Sequence, residues 1–146
     1  MYELLLFAHV TGAITWFGAG IIFQFTAERA RDRDTIAAIV RFNGLVGKYY
    51  FMVASLFVLA AGIAMVFVGD WGFDEPFVIG GITGFTASSV IGGGVIGRAA
   101  TDLETALAGG TDDAVLGAMG RLRNAGRLDF LIMLAVVLMM TVKPGT

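Results

Sequence analysis

The feature that most restricts this chain is the length over which it carries no charge. Leu4 to Phe25, Tyr49 to Val68 and Phe77 to Gly97 contain no Asp, Glu, Lys or Arg. Each run is about twenty residues, and at about 1.5 Å per residue such a helix crosses a hydrocarbon core of roughly 30 Å. A fourth stretch, Phe130 to Val142, covers only about 20 Å on the same rise, so it must borrow length from Leu128, Asp129 and the segment before them. Charged residues make up 15% of the chain, against about a quarter in soluble domains. The expected fold is all-α, a four-transmembrane-helix up-down bundle forming one domain over residues 1–146, with spans near 4–25, 49–68, 77–97 and 128–142. The first run follows Met-Tyr-Glu with no basic segment and is too long for a cleaved signal, so it reads as a retained span.

The loops set an orientation. The connection 26–48 carries Arg29, Arg31, Arg33, Arg41 and Lys48, and the connection 98–127 carries Arg98, Arg121, Arg123 and Arg127. The short connection GDWGFDEP has only Asp70, Asp74 and Glu75, and Lys143 is the one basic residue elsewhere. By the positive-inside rule both long connections are cytoplasmic and both termini extracytoplasmic, in a bacterial-type plasma (inner) membrane. Within 26–48 a stripe of Ile36, Ile39, Val40, Asn43, Val46 and Tyr50 predicts a helix continuous with the second span. Gly109-Gly110 should split the third connection into two helical halves, with Thr111 or Asp112 capping the second. No basic block points to nucleic acid, and the lack of Cys removes disulfides and thiolate sites.

The only histidine, His9, lies in the first span. At 100° per residue His9, Gly12, Ala13, Trp16, Gly20 and Phe23 share one side, a specialised face turned toward neighbouring helices. An ionisable residue inside a span marks a functional site by default; the plain alternative is a neutral imidazole bonded to Thr11, Thr15 or a carbonyl of another helix, or sitting wet near the outer interface. The antiparallel layout brings Met65 and Met139 or Met140 to a similar depth. Imidazole and thioether suit haem iron or Cu(I), so His9, Met65, Met139 and Met140 form a candidate metal set and His9 with Trp16 a candidate cofactor wall. Met is also a common filler of apolar gaps, and Trp16 reads equally as a packing aromatic.

Gly80, Gly84, Ser88 and Gly92 recur at four-residue spacing, as do Gly93 and Gly97, and lay a small-residue groove along the third span. Such a groove serves close helix packing or homo-oligomer formation, and alternatively leaves room for a flat ligand. Glu28, Lys48, Arg98 and Asp129 are expected at one depth as a neutralised ring. Gln24, Asn43, Ser55, Ser88 and Ser89 are candidate interhelical hydrogen-bonders. No acid falls between the boundaries of the spans, which argues against a proton-coupled exporter that needs one.

Residues 6–18, LFAHVTGAITWFG, and the closing Lys143-Pro144 carry a family likeness. The His, a spacing of six, then Trp and Gly resemble the opening helix of three groups of small bacterial membrane proteins. These are the CopD-like copper-resistance domain, the HemJ-type protoporphyrinogen oxidase, and an uncharacterised four-helix family of unknown function that the Lys-Pro favours. The resemblance implies His9 as an axial haem ligand or copper ligand. The HemJ type takes its second ligand from a Lys in the third span, where this chain has none. The expectation is therefore a lipid-embedded protein binding haem b or copper through His9. The alternative is a cofactor-free scaffold that packs, as a homo-oligomer or on a partner, through the Gly-rich third span.

Overall fold

The computed structural model of the chain describes residues 1–144, apart from the side chains of Leu45, Val46 and Lys48. Five α-helices follow one another: α1 (Tyr2–Arg29), α2 (Arg33–Val68), α3 (Pro76–Val90), α4 (Gly97–Gly109) and α5 (Asp112–Val142), with a π-helical segment Ile91–Ile96 joining α3 to α4. Four helical rods are long and apolar enough to cross a membrane, and no strand occurs among the described residues. The fourth rod is not short: α5 runs unbroken from Asp112, so the uncharged stretch Phe130 to Val142 is extended by helix that carries charge. α2 likewise carries the second span and its extension without a break.

Local chemistry sets the boundaries. Asp32 accepts from the Thr35 amide at 2.9 Å and starts α2, and Thr111 accepts from the Ala114 amide at 3.3 Å and starts α5, each satisfying an N-terminal donor. Pro76 occupies the first turn of α3, where its missing N–H costs nothing. Two helix C-termini are closed by arginines from elsewhere in the chain. Arg123 donates to the carbonyls of Ala27 and Ala30 at the end of α1, and Arg33 to those of Leu107 and Gly110 at the end of α4. Three consecutive glycines, Gly92 to Gly94, sit in the π segment, where no side chain resists the wider turn.

α1 packs on α2 and on α5, and α5 packs on α3 and α4. The helices alternate in direction, so the residues before α1, the α2–α3 turn and the end of α5 share one end, the terminal end. The α1–α2 and α4–α5 connections share the other, the loop end. α2 and α3 meet at the terminal end, where Val66 packs with Phe77 and Val78. Below that they stand apart, and the cleft between them holds two cavities.

At the loop end Ile36, Leu103, Val115 and Met119 are fully buried in a cluster with Ala27, Ala30 and Ala118. Each such side chain contributes about 1.5–3 kcal/mol. Ile36, Ile39 and Val40 of the anticipated stripe pack here. Tyr50 does not continue it and is exposed, and Val46 lies outside the described side chains.

Candidate functional site

α1 sends its specialised face inward as its periodicity requires. Gly12 and Trp16 are buried, and Phe23 meets Phe51 of α2 with ring centroids 5.1 Å apart. Leu4, Phe7, Ile14, Ile22 and Phe25, on other sides of the helix, are exposed as a lipid-facing surface would be. His9 Nδ1 lies 2.9 Å from the carbonyl oxygen of Val58 in α2. A carbonyl only accepts, so Nδ1 carries the proton, and in the neutral ring Nε2 keeps the lone pair. The imidazole fits because Gly62 has no side chain: a Cβ there would lie 3.0 Å from His9 Cε1 and 3.1 Å from Nδ1. Gly12 opens the same contact from the other helix, since a Cβ on it would meet Val58 Cγ2 at 2.8 Å. Of the plain alternatives for His9, the bond to a neighbouring carbonyl is the one formed. That bond is also how ligating histidines are oriented by their surroundings.

The first cavity, about 370 Å³, opens toward the terminal end. His9, Trp16, Met65 and Met140 all line it, so four of the five anticipated site residues come together. Met139 does not. It stands one residue, about 100°, from Met140 on α5, and it packs against Gly80 of α3 instead. Trp16 is buried with Ala54 and Met133 and tilts against Phe85 at 5.6 Å between centroids, so the packing role of its ring is realised. Lys143 ends α5 in the left-handed conformation, φ 45°. Its ammonium stands 5.1 Å from the Trp71 ring centre and 5.5 Å from that of Phe77, at the cavity's edge. Lys143 of the Lys-Pro pair thus has a physical role at this mouth, a cation over two aromatic faces.

The residues present fit a metal or haem only in part. One imidazole nitrogen with a free lone pair is available, with two thioethers in the same wall. Among the described residues no group of three His, Cys, Asp or Glu side chains is gathered that could hold a metal ion. Sequence reasoning missed Gly62, whose signal is a small residue at the depth of the only histidine.

The small-residue groove divides in two. Gly80, Gly81 and Gly84 face Met139, Met140 and Val136 of α5 within the chain, whereas Gly92, Gly93 and Gly94 have no atom within reach of a Cβ. Of these, Gly92 and Gly93 border the second cavity, about 690 Å³, in the loop-end half. Trp16 and Met133 belong to the walls of both cavities and separate them.

Among the described residues, Glu28, Arg98 and Asp129 do not pair with one another in the charged ring expected at the boundary. Glu28 takes a two-pronged bond from Arg127, at 2.7 and 2.8 Å, and a bond from Gln24. Asp129 instead accepts from the buried Ser88 hydroxyl at 2.6 Å. Arg98 pairs with neither acid among the described residues, and the Lys48 side chain lies outside them. Gln24 and Ser88 are interhelical bonders as expected. Ser55 turns back to Met52 of its own helix, and the buried Oδ1 of Asn43 meets no donor among the described residues.

Comparison with known families places the chain. The model of the family described as "Predicted integral membrane protein (DUF2269)" matches residues 3–144, and the chain belongs to that family. No curated protein and no solved structure matched it.

Proposed function

We propose that this integral membrane protein of the DUF2269 family binds a haem-type cofactor in the terminal-end cavity, with His9 Nε2 as the iron ligand. The observation that carries the reading is the His9–Val58 bond over Gly62. It holds the ring in one tautomer and leaves the ligating nitrogen unspent, in a cavity whose walls are otherwise mostly apolar and aromatic, with Thr141 and Lys143 among them. The likeness of residues 6–18 to haem- and copper-associated membrane helices supports it. Trp16 would wall the group, and Met65 or Met140 would approach its other side. Haem so held supplies one-electron chemistry tuned by its axial ligands. With the basic connections cytoplasmic, the site opens toward the extracytoplasmic face of a bacterial-type inner membrane.

A second reading rests on Met65 and Met140 sharing the wall with His9, since one imidazole and two thioethers make a Cu(I) set. One preparation separates the two. The full chain, purified in mild detergent from cells supplied with haem precursor and copper, should show a Soret band that His9→Ala removes. Bound copper by elemental analysis with no Soret band would favour the thioether set. Neither signal would leave a cofactor-free scaffold and overturn the proposal.

A further inference from the structure

The second cavity is chemically unlike the first. Its wall includes the carboxyl groups of Asp129 and Glu104, the amides of Gln24 and Asn43 and the hydroxyls of Ser88 and Ser89, and no Lys or Arg is found among its described residues. Several of the donors in that wall are already used. Ser88 gives its proton to Asp129, Ser55 to the Met52 carbonyl, and Gln24 its amide hydrogens to Glu28 and the Arg123 carbonyl. The acceptors are not matched. Among the described residues Asn43 Oδ1 is buried without a donor, and Asp129 has one hydroxyl bond and no basic partner. A carboxylate uses about four lone-pair sites, and a partly buried acid at the boundary of a span that pairs with no base is a candidate ligand site.

What fills such a space must bring hydrogen-bond donors and positive charge. The volume and the rings of Phe51, Phe130 and Trp16 in the same wall point to an organic cation rather than a metal ion, because aromatic faces attract cations and a roomy wall holds no ion tightly. Gly44 and Gly47 of α2 and Gly92 and Gly93 of the π segment leave the space clear from two sides. Glu104 is exposed, and the other acid, Asp129, is partly buried. We propose that the loop-end cavity is a binding site for a lipophilic protonated amine, whose N–H groups are taken by Asp129 and Asn43. This does not rest on a cofactor at His9.

The test uses the full chain in mild detergent and two probes of one shape: 9-aminoacridine, a flat protonated amine, and neutral acridine. Saturable binding of 9-aminoacridine by fluorescence titration is expected, weaker by at least about tenfold for acridine and in Asp129→Asn, the scale of one charge-assisted bond. The amide oxygen of the variant can still accept from Ser88, and an unchanged melting temperature checks its fold. Gly93→Leu, at a position with open space around it, should also lose binding, by filling the cavity. Glu28→Gln, outside the wall, and His9→Ala should keep it. Absence of saturable binding, equal binding of acridine, an undiminished Asp129→Asn or Gly93→Leu, or an equal loss in Glu28→Gln would each overturn the proposal.

Discussion

At the loop end Ile36, Leu103, Val115 and Met119 expose none of their surface, while around the His9 cavity Leu6, Val10, Ile14 and Ile63 remain between 37% and 67% exposed. The same rods supply both regions, so the difference lies in the surroundings. The cap projects from the spans on amphipathic helix, and in water every apolar side chain left outside costs free energy, so it closes completely. Between spans, lipid tails solvate Leu and Ile as well as protein does, and only close packing and hydrogen bonds hold helices together. That half can keep open space at little cost. The cap, fastened by Arg33 and Arg123 on the ends of α4 and α1, sets how the rods stand, and the spans below it are free to hold a ligand.

The sharpest break of this contrast would come from matched truncations. Leu103→Ala should destabilise by about 2–5 kcal/mol through the cavity it leaves, and Ile14→Ala, on the lipid side, by less than about 0.5 kcal/mol. Unfolding by SDS titration measures both, and equal losses would mean that the two regions do not differ as argued. Next comes the packed part of the glycine groove. Gly84→Ala drives a methyl into Val136, a β-branched residue with few alternative rotamers, and should cost about 1–3 kcal/mol. Gly80→Ala meets only the flexible end of Met139 and should cost visibly less in the same titration.

A smaller effect sharpens the site. Gly62→Ala should push the imidazole away and weaken the His9–Val58 bond, whose net worth is about 0.5–1.5 kcal/mol. His9 is the only histidine, so the Nδ1 resonance of 15N-histidine-labelled protein reports the change directly. A resonance identical to that of the parent chain would remove Gly62 from the account.

The smallest effect is at the start of α2. The Thr35 amide and then its hydroxyl, both donating to Asp32, hold that carboxyl below the usual carboxylate range. A depressed carboxyl contributes stability above its unfolded value of about 3.9, and the contribution is lost as pH falls through the lower folded value. Amide exchange in the first turn of α2 should therefore quicken only below that region, beyond the intrinsic pH trend. In Asp32→Asn the step should vanish.

Much of this was legible beforehand because it depends on neighbours in sequence. Freedom from charge marked the four rods, Thr111 sits where a cap was expected, and the 100° spacing put His9, Gly12 and Trp16 on one face. The continuation of α2 and the break at Gly110 followed from the same local rules. What misled was depth without direction. A common depth for Glu28, Arg98 and Asp129 suggests a ring, yet Arg127 takes Glu28 and Ser88 takes Asp129 because those are the side chains that the packed faces present to each other.

Sequence alone determined an all-α membrane chain with one imidazole on an inward face, since hydropathy and helical phase are properties of a single strand of residues. The choice of Met140 over Met139, the seat that Gly62 makes for His9, the split of the glycine groove and the unmatched acceptors near Asp129 came only with the tertiary structure. Each depends on how one helix is rotated against another. A rotation of a few tens of degrees moves a side chain from a cavity to a packed seam without changing the sequence pattern at all.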